Sequence, residues 1–226
     1  MTSIWSRSLP SGNLHTTLRS HRLLLERLGP AHVGYLLETL KDRNFRHHFP
    51  VIQPYNLSRT RLLTRLEKER LNSTDQRDDL VWVIFKTTGN DKRPIGLACL
   101  IDYLPETKNA EMMIGIPREA DRVMGRALEA SLLVMEFAFN LIGLNKLISH
   151  VYTDNKSAQA NSIKLGFTQE GFLREHYFDP SDNCFLDVYR NGLLADEFRS
   201  SKRLSLLSCR LLQRDVTLAP DPIKNR

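Results

Sequence analysis

Apolar positions along this chain follow two rhythms, one with the helical period and one alternating, and their order predicts a mixed α/β architecture. Leu14 to Leu25 sets Thr17, Arg19 and Arg22 between apolar neighbours and predicts a first strand, which Gly29-Pro30 breaks. Ala31 to Lys41 carries Val33, Leu36, Leu37 and Leu40 at helical spacing, a first helix. Arg43 to Pro54 is polar, aromatic and bounded by proline, a loop by composition. Ser58 to Asn72 places Leu62, Leu63, Leu66 and Leu71 among charges, a second amphipathic helix, and Asp75 to Asp79 is a solvated turn.

The rhythm then changes. Leu80 to Lys86 is β-branched and aromatic, a strand ended by the Thr88-Gly89-Asn90-Asp91 turn. Ile95 to Asp102 and Asn109 to Ile116 predict two more strands, the latter stopped by Pro117. Met124 to Leu141 is the longest helical pattern, with Leu128, Leu132, Met135 and Phe139 on one stripe. Lys146 to Tyr152 predicts a strand and Asn155 to Leu165 a short helix. Phe167 to Phe178 and Asn183 to Leu193 form an antiparallel pair across Asp179-Pro180-Ser181-Asp182. Leu204, Leu207 and Leu211 continue a helical stripe, and Pro220 and Pro222 mark a loose tail. The sum is a mixed sheet with helices packed on it, without internal repeats.

At 226 residues with 41% apolar composition the chain builds one core. No apolar run approaches the ~20 residues of a membrane span, and Met1 to Asn13 lacks a hydrophobic signal segment. Cys99, Cys184 and Cys209 are an odd, widely spaced set, which argues against disulfides or structural zinc and for a reducing cytoplasm. The net charge of +6 is spread among acids and carries no reader motif, which argues against nucleic acid as partner; a cofactor's phosphates would use a few of these charges equally well.

The informative region runs from Ala110 to Ala127. A strand ends, a polar loop follows, and Arg122-Val123-Met124-Gly125-Arg126-Ala127 opens the long helix. Free N–H groups and the helix dipole make such a junction an anion site, and glycine and alanine let a phosphate approach the backbone. The plainer reading is a glycine that eases a turn. Arg122-x-x-Gly125-x-Ala127 resembles the Gln/Arg-x-x-Gly-x-Gly/Ala signature of the GNAT acyltransferases, in the same strand-to-helix context. Asn155-Lys-Ser-Ala158, Leu165-Gly166-Phe167, Glu170-Gly171-Phe172-Leu173-Arg174, Asp187-Val188-Tyr189 and Leu193-Leu194 resemble its later motifs in order. Arg22-Leu23-Leu25 with Leu28-Gly29-Pro30 is similar to the subgroup that includes ribosomal-protein N-terminal acetyltransferases. The likeness covers residues 14–199, the expected domain, and leaves 200–226 as a helical extension and tail. Its leucines need a partner to be buried, this domain or a second copy in a homodimer.

The resemblance implies a mostly antiparallel, twisted sheet whose strands at Ala110–Ile116 and Lys146–Tyr152 splay apart, flanked by helices. It implies acetyl-CoA as co-substrate, with pyrophosphate on the backbone of Arg122 to Ala127 and pantetheine along Ile114 and Ile116, added as a strand would be. A backbone N–H near Ile114 would stabilise the oxyanion. Glu111 stands where many members carry a carboxylate, suited to take the ammonium proton; otherwise it is a strand-edge charge paired to an arginine. Asn155, Ala158 and Ser162 share one face of the short helix, where Asn155 would bond the arm. The position of Ser162 is commonly a tyrosine that protonates the leaving thiolate, so serine departs from the pattern; Tyr152 and Tyr177 are candidate substitutes or packing residues. His47, His48 and Phe49 fall where the acceptor site is partly built, or are exposed loop residues. No His/Cys/Asp spacing suggests a catalytic metal, and no nucleophile motif supports a covalent route through Cys99 or Cys184, which read as core. Three functions compete: acetylation of a small-molecule amine, acetylation of a peptide N-terminus, and a non-catalytic acyl-CoA-binding module.

Overall fold

The computed structural model describes residues 17–55, 58–71, 79–88, 91–104, 106–123, 125–179 and 182–219. Its scaffold is an eight-stranded sheet in the order β1-β2-β3-β4-β5-β6-β8-β7. The strands are β1 (Leu18–Arg19), β2 (Leu23–Arg27), β3 (Leu80–Thr88), β4 (Asp91–Leu104), β5 (Asn109–Gly115), β6 (Lys146–Tyr152), β7 (Thr168–Asp179) and β8 (Cys184–Leu194). Every neighbouring pair is antiparallel except β5 and β6.

Strand β3 shows why the sheet lies between two helical layers. Alternate side chains of a strand point to opposite faces, and here both sets are apolar, as in a sheet covered on both sides. Leu80, Trp82 and Ile84 pack with α4 (Arg126–Glu136), while Val81, Val83 and Phe85 pack with α1 (Val33–Thr39) and α3 (Arg59–Leu71). Trp82 meets Phe137 edge-on, with centroids 5.4 Å apart.

Three expectations change. Of the strand expected over Leu14 to Leu25, residues 14–16 lie outside the described residues and the rest is part of a hairpin, because the Ser20 hydroxyl accepts from the N–H groups of Arg22 (3.2 Å) and Leu23 (2.9 Å) and turns the chain between β1 and β2. The loop expected over Arg43 to Pro54 is helix α2 (Arg43–His48) followed by a 3-10 turn, Pro50–Tyr55. The Asp42 carboxylate accepts from Phe45 N–H at 3.0 Å and caps α2. Phe45 and Phe49 stack at 5.1 Å, where a Cβ on Gly115 would lie 2.6 Å from Phe45. A missing side chain on β5 thus seats α2 over the end of that strand. The long helix expected from Met124 is α4 followed by a π-helical stretch, Phe137–Ile142; Met124 itself lies outside the described residues.

Helix α5 (Lys156–Lys164) follows β6, and α6 (Ala195–Ser200) and α7 (Lys202–Leu212) follow β8. Leu204, Leu211, Leu212 and Val216 join the cluster that contains α4. Asn140 Nδ2 donates to the carbonyls of Val216 (2.8 Å) and Leu218 (3.0 Å), and Arg214 pairs with Glu136 at 2.6 Å. Among the described residues no helix is long and apolar enough to cross a membrane.

Candidate active site

Strands β5 and β6 run parallel for three residue pairs, Asn109 with Lys146, Ala110 with Leu147 and Glu111 with Ile148. Beyond Glu111 each stays paired on its outer edge, β5 with β4 and β6 with β8, while their inner edges part. The fork opens into a cleft of about 790 Å³ whose wall includes Ile114, Ile116, Arg122, Val123, Gly125 and Ala127 on one side. Asn155, Ala158 and Ser162 of the α5 segment line it on the other.

One end of the cleft is the start of α4. Gly125 is its N-cap with φ +91°, a left-handed conformation that other residues enter at a cost. A Cβ there would approach Leu211 Cδ2 of α7 to 3.2 Å. Arg122 is tied down, Nε donating to Ile116 O and Nη2 to Pro117 O, both at 2.9 Å. The buried Asp121 carboxylate accepts from Arg93 at 2.5 and 2.9 Å, and the Arg93 hydrogen bond comes first among the causes that hold its pKa below the usual carboxylate range. Arg126 turns to the same carboxylate (3.5 Å) and to Asp121 O (3.2 Å). Arg126, whose backbone was expected at the phosphate, is not among the residues that line the cleft. Asn155 lines the cleft, yet its Oδ1 accepts from Ala158 N–H at 3.1 Å and caps α5. Ser162 is buried on the same wall.

At the fork itself the buried Glu111 meets His150 of β6, Oε2 to Nδ1 at 2.9 Å, and its other oxygen accepts weakly from His150 N–H at 3.4 Å. No arginine holds Glu111 among the described contacts; a histidine does. Sequence reasoning missed His150, though a titratable side chain on the strand beside Glu111 was a usable signal.

The far end is lined by ionisable and aromatic groups. His47 Nδ1 stands 2.7 Å from the buried Asp179 carboxylate, and His48 Nδ1 stands 3.1 Å from Asn44 O. Asp154, in the turn after β6, lies near both rings. Tyr152 packs edge-on against His47 at 5.2 Å and against Tyr177 at 5.6 Å. Burial, then Tyr177, Asp179 and Glu111, push the Tyr152 hydroxyl up to about 12. Burial, then Glu111, raise Tyr177 too. Both phenols therefore stay protonated at neutral pH and can donate hydrogen bonds. Cys99 is buried and its thiol is pushed well up by burial, whereas Cys184, expected in the core, is exposed at the start of β8.

This geometry can be set beside known proteins. A family model described as an acetyltransferase (GNAT) domain matches residues 22–168. The uncharacterized N-acetyltransferase YoaA of Bacillus subtilis (strain 168) is 31% identical over 65 residues, which span 29% of this chain and 37% of that relative's length. The spermidine N-acetyltransferase of Vibrio cholerae, solved in complex with CoA and spermine, superposes with a TM-score of 0.66 at 23% identity, over 78% of this chain and 97% of that one. A dodecameric structure of the same Vibrio enzyme gives 0.66 at 24% identity, over 80% and 99%.

Proposed function

Since the chain belongs to the GNAT acetyltransferase family, we propose that it moves an acetyl group from acetyl-CoA to a small-molecule primary amine by direct attack in a ternary complex. The observation that carries the reading is the buried Glu111–His150 pair at the root of a cleft that ends on a helix N-terminus.

Backbone N–H groups from Arg122 to Ala127 take the pyrophosphate, with the α4 dipole behind them. The pantetheine arm fills the gap between β5 and β6 along Ile114 and Ile116, as an added strand. The acceptor's ammonium first gives up a proton. Glu111 holds His150 Nδ1–H, which leaves Nε2 with its lone pair to accept that proton, directly or through one water. The amine nitrogen then attacks the thioester carbon, and the backbone N–H of Ile114 stabilises the oxyanion. Collapse breaks the C–S bond, and the thiolate takes a proton by way of the Ser162 hydroxyl and solvent. Residues 14–199 form the catalytic unit on this reading, and α7 braces it from behind.

Asp154 and Glu111, which line the cleft, favour a cationic substrate, as do the spermine-bound and spermidine-acetylating relatives. The test is purified protein with acetyl-CoA, read by mass spectrometry against diamines, polyamines, amino sugars and peptides. Acetylated small amines are expected. Modification of peptide N-termini alone would move the assignment to protein acetylation. Tight acetyl-CoA binding without any product would make the chain a binding module.

A further inference from the structure

The cluster at the cleft mouth has a geometry that direct hydrogen bonding does not explain. Asp154 Oδ2 lies 3.9 Å from His47 Nε2, and Oδ1 lies 3.5 Å from His48 Nε2. Both exceed the 2.7–3.2 Å of an N–H···O hydrogen bond. Ligand atoms held about 2.0–2.1 Å from a tetrahedral zinc ion lie roughly 3.4 Å from one another. The three ligand atoms fall within 4.8 Å of one another, so a small ring rotation brings all of them to that spacing.

The rings are also oriented from behind. His47 Nδ1 faces the Asp179 carboxylate at 2.7 Å, and His48 Nδ1 faces the carbonyl of Asn44 at 3.1 Å. An acceptor on Nδ1 places the proton there and turns an unprotonated Nε2 outward. Metal-bound histidines are held in the same way, one ring nitrogen on the ion and the other on a carboxylate or backbone carbonyl. Asp179 is buried, while His47 and His48 are partly exposed, so an ion reaches the Nε2 atoms from solvent.

We propose that His47, His48 and Asp154 bind a divalent transition-metal ion of the zinc class, with Asp179 and Asn44 O as orienting partners. Two imidazoles and one carboxylate suit zinc and leave a fourth position open, as in sites that exchange a water or a ligand. The ion ties α2 to the turn after β6 across the mouth of the cleft. His48 and Asp154 also line that cleft. This departs from the expectation of no metal drawn from spacing. The ligands come from two distant segments, and only the fold brings them together.

The experiment uses the untagged full chain, stripped with chelator and titrated with zinc chloride by calorimetry and with cobalt(II) chloride by visible absorption. One ion per chain is expected, with the ligand-field band of tetrahedral cobalt(II) and a higher Tm in zinc. His48→Ala and Asp154→Ala should each weaken binding tenfold or more. Asp179→Asn should weaken it about 10–100-fold. A Cys184→Ser/Cys209→Ser chain should bind as the parent does, which separates this site from the exposed thiols. Asp154 is exposed, so its variant should melt as the parent does without metal. Parental affinity in a His48→Ala/Asp154→Ala chain, loss of binding in the cysteine variant, or a cobalt spectrum without the tetrahedral band would overturn the site. No acyl transfer is measured, so the outcome is independent of the proposed reaction.

Discussion

On the proposed reading, the groups that face the ligand at the α4 end of the cleft are backbone amides, and the nearby charged side chains hold that backbone: Arg122 on two carbonyls, Arg93 and Arg126 on Asp121. At the α2 end the cleft is lined by side chains from four separate segments: His48, Glu111, His150 with Tyr152 and Asp154, and Tyr177. A backbone site is cut to one constant group and tolerates little change in shape. A side-chain site can be re-specified one residue at a time. The contrast fits the proposed reaction, in which the donor is fixed and the acceptor varies.

The largest effect should come from removing what stands behind the donor end. A chain truncated after Arg199 loses Leu204, Leu211, Leu212 and Val216 from the main cluster. At about 1.5–3 kcal/mol for each buried aliphatic side chain, the loss approaches the ~5–15 kcal/mol that stabilises a whole domain. The truncated chain should lack a cooperative melt by circular dichroism; a Tm equal to the parent's would show that α7 is dispensable.

Glu111→Gln acts at the other end. It keeps size and hydrogen bonding and removes the negative charge that supports His150 as it gains a proton. We expect kcat to fall about 10²-fold or more, with the KM for acetyl-CoA little changed. Ser162→Ala should cost far less, because water also reaches the thiolate. An unchanged kcat at saturating acceptor in Glu111→Gln removes the carboxylate from the mechanism, and a raised KM for acetyl-CoA breaks the separation of the two ends.

Gly125→Ala should have the smallest effect and sharpen the comparison most. Its φ of +91° makes any side chain strained, by about 1–3 kcal/mol. The new Cβ presses on Leu211 rather than on the cleft, so the amides shift while the acceptor end stays as it was. CoA affinity should drop about tenfold by calorimetry, ~1.4 kcal/mol, with the KM for the acceptor unchanged. Equal CoA affinity would remove this turn from the phosphate site.

The same contrast explains what could be read from the chain. The junction from Arg122 to Ala127 is contiguous, so its chemistry is visible as a short string between a strand and a helix. β6 was legible to the residue because its apolar pattern is set by local alternation. Helix α2 was not, because Arg43–His48 has a polar composition and is helical through the Asp42 cap and the Phe45–Phe49 stack on Gly115, a contact with a distant strand. The pairing of Arg126 with Asp121 was not legible, because the motif shows which residues stand at the turn and not where a side chain finds its carboxylate. The Glu111–His150 pairing was not legible, although a titratable residue on the neighbouring strand could be seen, because the contact depends on β5–β6 register, which no local pattern encodes. The same holds for Asp154 and Asp179.

The place of Leu211, which a side chain at position 125 would press on, limits how freely the parts of this chain can be exchanged. Leu211 stands behind the glycine that opens α4, so the helix that follows the family motifs takes part in shaping the turn within them. A chimera that joins the segment carrying the motifs to another relative's C-terminal segment would lose that backing, however well the motifs matched. In an evolving lineage, positions 125 and 211 should change together or not at all.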